Sequence, residues 1–108
     1  MPEENVRPWG RYEVIEKIKI IYVNPNQQLS LQYHKNRNED WRILSGNGEV
    51  QIGEQKYLAR VGDEFRIPRM QKHRIRAGEE GLSFLEIATG EVDEDDIVRL
   101  EDDYGRLK

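Results

Sequence analysis

No cysteine occurs in the chain, so it has neither a disulfide framework nor a thiolate metal site. No apolar stretch reaches the length of a signal-peptide core or a membrane span, and a cytoplasmic protein with no membrane partner is the expectation. Basic residues are not in excess: 17 lysines and arginines stand against 21 acidic residues, a net charge of −4. That balance gives no general attraction for nucleic acid or an anionic surface, so any basic site must be local. The 108 residues suffice for one domain with a real core and not for two. Charged residues make up 35% and hydrophobic residues 36%, and the aromatic and β-branched ones are spread throughout, which favours a folded domain over disorder. No internal repeat or low-complexity segment is present.

What the chain does have is a period of two. Ile18, Ile20 and Tyr22 alternate with Lys17, Lys19 and Ile21, and Leu29, Leu31 and Tyr33 alternate with Ser30, Gln32 and His34. Further strand-like runs lie at 56–60, 64–67, 73–76 and 82–88. Between them, Gly46-Asn47-Gly48, Gly53-Glu54, Val61-Gly62-Asp63 and the Gly78 to Gly81 cluster read as turns. Short strands at spacings of roughly eight to twelve residues predict an all-β sandwich or barrel. Only Asp93 to Leu100 reads as a helix, with Asp93 as N-cap, acidic residues in the first turn and Ile97, Val98 and Leu100 to pack.

The two histidines, His34 and His73, each sit in a short polar run. Imidazole nitrogen and carboxylate oxygen are the usual donors to a divalent transition metal, so His34, the nearby Glu39 and the distant His73 make a three-ligand set with positions left for a substrate. Alternation puts Ser30, Gln32, His34 and Asn36 on one face of a strand, Glu39, Trp41 and Ile43 on one face of the next, and Gln71, His73 and Ile75 on one face of a third. If these faces turn inward, a metal lies beside an apolar wall of Trp41 and Ile43. Trp9 and Trp41 read as core residues, and the default partners of Arg37, Arg99 and Arg106 are the acids Glu101, Asp102 and Asp103.

The two histidine runs resemble the paired motifs of the cupin superfamily. More narrowly, Arg7-Pro-Trp-Gly10 with Tyr12, Leu29-Ser-Leu-Gln32, Arg37-x-Glu39-x-Trp41, Ser45-Gly46 and the run from Asp95 through Arg99 to Tyr104-Gly-Arg106 resemble the type II mannose-6-phosphate isomerase family. Members of that family occur alone or as the C-terminal domain of bifunctional mannose-1-phosphate guanylyltransferases. The resemblance runs from Arg7 to Arg106. It implies an all-β fold, a single cupin (double-stranded β-helix, jelly-roll) barrel with a short C-terminal helical segment. It divides residues 1–108 into an N-terminal arm (1–12), a barrel (13–90) and a C-terminal segment (91–108). It also implies a homodimer, a sugar phosphate as partner, and a divalent metal such as zinc or manganese on His34, Asn36, Glu39 and His73.

The implied activity is the interconversion of mannose 6-phosphate and fructose 6-phosphate. Such chemistry moves a proton between adjacent carbons through an ene-diol, with a cation polarising the oxygens and a positioned side chain shuttling the proton. Arg37, Asp40, Arg99 and Arg106 are the catalytic candidates. Gln32, Lys72, Arg99 and Arg106 are the substrate-binding candidates, the cations among them suiting a phosphate dianion. The chain departs from the family pattern at informative places. Three consecutive histidines are typical where this chain has His34-Lys35-Asn36, and another histidine where it has Asp40. An amide oxygen at 36 favours a harder cation such as manganese or magnesium. Met70 replaces a turn glycine, and Asn26 stands where glycine is common. Two further readings stay open: a cupin that binds a sugar phosphate or nucleotide sugar without turnover, and another small metal-dependent cupin enzyme such as an oxygenase.

Overall fold

The computed structural model describes the backbone of residues 3–15, 17–91, 93 and 95–106, and their side chains except at 3, 4, 14 and 15. Residues 1 and 2 of the expected N-terminal arm, and 92, 94, 107 and 108 of the expected C-terminal segment, lie outside it. Among the described residues there are nine strands and no helix: β1 (Glu3–Arg7), β2 (Gly10–Ile15), β3 (Ile18–Val23), β4 (Leu31–Tyr33), β5 (Arg37–Ile52), β6 (Gln55–Arg60), β7 (Glu64–Ile67), β8 (His73–Gly90) and β9 (Val98–Glu101). They form one curled sheet in the order β1-β2-β3-β8-β4-β9, from which β5 branches by pairing with β6, β7 and β8.

Strand β8 organises the barrel. One edge pairs with β5 from Ile52↔His73 to Arg37↔Gly90. The other edge takes β3 at Leu82 to Ile87 and β4 at His73. Successive side chains on a strand point to opposite faces, so the inward rows are read directly from burial. Arg37, Glu39, Trp41 and Ile43 are buried along β5, as are His73, Ile75, Ala77, Leu82, Phe84, Glu86 and Ala88 along β8. Phe84, Ile75 and Val50 are fully enclosed and form the centre of the core with Trp41 and Ile43.

Three expectations are corrected. The described residues of 93–100 do not form a helix. The Asp93 carboxylate takes the N–H of Asp95 in a tight turn, and Val98–Glu101 then pairs antiparallel with β4. An acidic cap-like run therefore serves a turn here. Second, the Gly46-Asn47-Gly48 and Gly78 to Gly81 clusters are not hairpin turns but lie within β5 and β8, where the register shifts between Ile43 and Ser45 and between Gly46 and Gly48. Gly46 has φ +74°, and a Cβ there would lie 2.0 Å from the Gly81 carbonyl oxygen, so the two long strands bend together at a contact only glycine permits. Third, the alternation from Ser30 to Asn36 is broken by a register shift between Leu31 and Gln32 and by a bend at 35–36. His34 is consequently buried while Asn36 is exposed.

The two substitutions at expected glycine positions are borne out in the backbone. Asn26 and Met70 have φ of 61° and 68°, the left-handed region that glycine ordinarily occupies.

Candidate metal centre and cation-lined cavity

His34, Glu39 and His73 meet inside the barrel, each buried, with one donor atom apiece within 4.8 Å of the others. Each arrives from a different element: His34 from just beyond β4, Glu39 from β5 and His73 from the start of β8. Both imidazoles are fixed by a main-chain carbonyl. His34 Nδ1 lies 2.6 Å from the Asp96 oxygen and His73 Nδ1 lies 2.9 Å from the Gln71 oxygen, so each ring donates through Nδ1 and turns the Nε2 lone pair to the centre. Burial lowers both histidines below their ordinary range, partly offset by Glu39, and both are neutral at neutral pH.

Burial alone would raise the Glu39 carboxyl, but His34 and His73 when protonated, and the fixed charge of Arg37, lower it below its ordinary range, so Glu39 is already anionic where both imidazoles are neutral. Arg37 donates to Oε2 at 2.9 Å and Trp41 Nε1 donates to Oε1 at 2.9 Å. Trp41 also sets its edge against His73 with 5.4 Å between ring centres. The apolar wall is therefore present, and its indole also orients a ligand carboxylate.

The donor set fits a divalent metal. His73 Nε2 is buried and receives no hydrogen bond, the state of a lone pair awaiting a cation. His34 Nε2 and Glu39 Oε2, two acceptors, stand 3.2 Å apart, which is tolerable only with a donor or cation between them. Arg37 Nη2, 3.2 Å from His34 Nε2, fills that role.

Above this cluster lies a cavity of about 520 Å³. His34, Arg37, Gln32, Arg99 and Arg106 line it, together with Trp9, Tyr12, Arg7, Lys19 and Glu86. Five cationic side chains thus face one space in a protein of net negative charge. Of the site residues read from the sequence, the fold brings His34, Glu39 and His73 together and puts Gln32, Arg37, Arg99 and Arg106 around the cavity.

Three candidates stand elsewhere. Asn36 is exposed, its N–H donated to the Asp96 carboxylate and its carbonyl taking the N–H of Glu91. Asp40 follows Glu39 on β5 and so falls on the opposite face, opposite Ile87 and Arg66. Lys72 pairs with Glu54 and is not among the cavity residues.

Sequence reasoning missed Lys19 and Glu86, both buried. The signal was parity: Lys19 shares a row with Ile21 and Val23, and Glu86 lies between Phe84 and Ala88 on the inward row of β8. Burial, and then the nearby Glu39, raise the Glu86 carboxyl well above the ordinary range against the pull of Lys19 and Arg37.

A sequence profile described as "Mannose-6-phosphate isomerase C-terminal" matches residues 1–102. The chain is 41% identical over 107 residues to the xanthan biosynthesis protein XanB of Xanthomonas campestris pv. campestris, covering 93% of this chain and 23% of that protein. It is 35% identical over 114 residues to the mannose-1-phosphate guanylyltransferase ManC of Salmonella typhimurium, covering 99% of this chain and 24% of the relative. The chain thus spans about a quarter of the curated relatives it matches. Among solved structures, a cupin-2 domain from Rhodospirillum rubrum superposes with a TM-score of 0.73 at 22% identity, covering 88% of this chain and 78% of that one. That likeness establishes the cupin barrel.

Proposed function

The chain belongs to the mannose-6-phosphate isomerase C-terminal family, and from that premise we propose that it is a metal-dependent isomerase interconverting mannose 6-phosphate and fructose 6-phosphate. The observation that supports this best is the placement of a neutral–anionic–neutral ligand set, His34, Glu39 and His73, beside a cavity lined by five cations. A divalent ion held by the three would polarise the oxygens of the sugar as a Lewis acid.

The rest of the work falls to the chain's own side chains. A cavity arginine free to fork onto an anion, such as Arg99, holds the phosphate. Gln32, facing the cavity from β4, is the neutral group available to sugar hydroxyls. Asp40 is on the wrong face to move a proton; of the two cavity carboxyls, Glu86 and Asp95, Glu86 is the buried one and takes that task. Its burial raises it well above the ordinary carboxylate range, so it holds a proton more readily than a solvated carboxyl does. The same reading carries a cytoplasmic location, where phosphorylated sugars are made, and a homodimer that covers an exposed strand edge such as β1. Among the described residues no helix is long and apolar enough to cross a membrane.

A coupled assay for fructose 6-phosphate formed from mannose 6-phosphate tests the activity. Turnover should need an added divalent ion, stop with chelator, and fall by roughly 10²–10⁴ in Glu86→Gln at unchanged metal content. Absence of turnover in metal-loaded protein rejects the isomerase. The second reading, a sugar-phosphate binder without turnover, is favoured by one observation, the Arg37 guanidinium seated on two of the ligand atoms. Binding of mannose 6-phosphate without any product would establish it.

A further inference from the structure

The arginines of the cavity are not equivalent. Arg106 has its guanidinium forked onto Asp102, with Nε 2.8 Å from Oδ2 and Nη2 3.0 Å from Oδ1, and its own N–H bonds Oδ2 at 2.7 Å. Asp102 is fully covered at its side chain, and the Arg106 guanidinium also lies over the Tyr104 ring. The side-on Nε–Nη2 edge, one of the two that could fork onto a phosphate, is therefore already filled by a carboxylate. A dianion brought to it would meet Asp102 as a like charge.

Arg99 and Arg7 are in the opposite state. Arg99 is held on β9 opposite Gln32, and its Nε is buried with no acceptor. A buried donor left unpaired is costly, and a ligand oxygen is the remaining way to satisfy it. Arg7, at the end of β1, donates to the Tyr12 hydroxyl at 2.9 Å and to the Val6 carbonyl at 3.2 Å, and its guanidinium lies 5.1 Å from the centre of the Tyr12 ring. All of these partners are neutral.

The position of Arg7 is built by the fold. The turn from Arg7 to Gly10 is closed by the pairing of those two residues and by Asn24 donating to the Trp9 carbonyl at 2.8 Å. A Cβ at residue 10 would lie 1.9 Å from the Tyr22 carbonyl oxygen, so β2 packs against β3 at that point only with glycine. Burial and then the positive charges of Arg106 and Arg7 push the Arg99 guanidinium below its usual range, which places Arg7 within electrostatic reach of Arg99.

We infer that Arg7 and Arg99 together form the seat of a phosphate monoester dianion in this cavity, Arg7 being a further substrate-binding residue, while Arg106 is a positioning residue that acts through Asp102. This rests on the reading that the ligand is a sugar phosphate, and the test separates the two.

Titration calorimetry of the full chain with inorganic phosphate, and separately with mannose 6-phosphate, should find both ligands bound. Arg7→Ala and Arg99→Ala should each weaken inorganic phosphate by roughly tenfold or more. Arg7→Lys should recover part of that loss, because the charge returns without the fork. Tyr12→Phe, which keeps the charge and the ring but removes the hydroxyl that orients Arg7, should weaken phosphate by roughly two- to fivefold. Arg106→Lys should retain near wild-type phosphate affinity, whereas a group touching the ligand through a fork would lose as much as Arg99→Ala. Phosphate affinity unchanged in both Arg7→Ala and Arg7→Lys overturns the seat, as does a wild-type chain that binds no inorganic phosphate. Arg7-dependent phosphate binding in a protein that never converts mannose 6-phosphate supports the seat and rejects the isomerase.

Discussion

Arg37 lies on Glu39, its Nε 2.9 Å from Oε2, and the same guanidinium reaches His34 Nε2 at 3.2 Å. It therefore covers two of the three donor atoms that a divalent ion would take. The same Nη2 is 3.9 Å from Glu86 Oε1, an atom with no hydrogen bond.

Competition between the guanidinium and the ion has a direct consequence for Arg37→Met. Manganese or zinc affinity should rise by roughly tenfold, since the ion no longer displaces a paired cation, while the metal-free protein melts lower because Glu39 loses its buried counter-charge. Metal titration followed by melting curves with and without the ion checks both. Lower affinity in Arg37→Met would mean that the guanidinium supports the metal instead.

The proposed ligand set is His34, Glu39 and His73, and the exposed Asn36 side chain lies away from it. His34→Ala and His73→Ala should each lower metal affinity by more than the ~10–100-fold that loss of an outer partner costs. Asn36→His should change it by less than about threefold, as an exposed side chain whose neighbouring N–H groups are tied to Asp96. Metal content after dialysis, measured side by side, decides. A large gain in Asn36→His would place residue 36 at the centre.

Asp102 makes the fold acid-sensitive. Hydrogen bonds from Arg106 come first among the causes that lower its carboxyl to about 2 from an ordinary 3.8. A depressed folded-state pKa contributes stability that is present above the unfolded value and lost as pH falls through the folded one. The contribution, about 2 kcal/mol at neutral pH, should thus decline between pH 4 and pH 2. Urea unfolding of wild type and Asp102→Asn should show a gap of that order at pH 7 that closes toward pH 2. A gap independent of pH would assign the loss to packing.

Two backbone positions carry opposite predictions. Met70 is exposed with φ of 68°, so Met70→Gly should stabilise by roughly 0.5–1 kcal/mol as left-handed strain is relieved, less the entropy of glycine. Gly46→Ala should cost about 3 kcal/mol or more, because its Cβ meets the Gly81 carbonyl and the two bends cannot part without breaking the β5–β8 ladder. Equilibrium unfolding of both variants gives the signs.

Much of this was legible in the chain itself. His34, Glu39 and His73 could be read because imidazole and carboxylate are rare enough on inward parity to stand out, and Glu39, Trp41 and Ile43 kept the period of two that put them on one face. The failures share a cause. Where the backbone leaves ideal geometry, at the bend after β4 and at the bulges by Gly46, local pattern no longer reports direction, so Asn36 and the glycine clusters were misplaced. The run from Asp93 to Leu100 carries the marks of a helix start, yet its edge was claimed by β4, a long-range pairing that no local signal encodes. Lys19 and Glu86 have parity as their only local signal, because a charged side chain on a strand ordinarily faces solvent.

The long ladder between β5 and β8 also sets the order in which the protein assembles. Pairing at the Ile52–His73 end closes a short loop, whereas the Arg37–Gly90 end must wait for a far longer one, and Glu39 sits near that late end opposite Ala88. His34 comes later still, since β4 meets β8 only at Gln32 and His73, and its ring is fixed by the carbonyl of Asp96. By sequence separation the three candidate ligands are the last to be brought together, and the centre is expected to be an outcome of folding and not its nucleus. A bound ion would accordingly act on the lifetime of the native state, slowing its unfolding while leaving the refolding rate nearly as it is without metal.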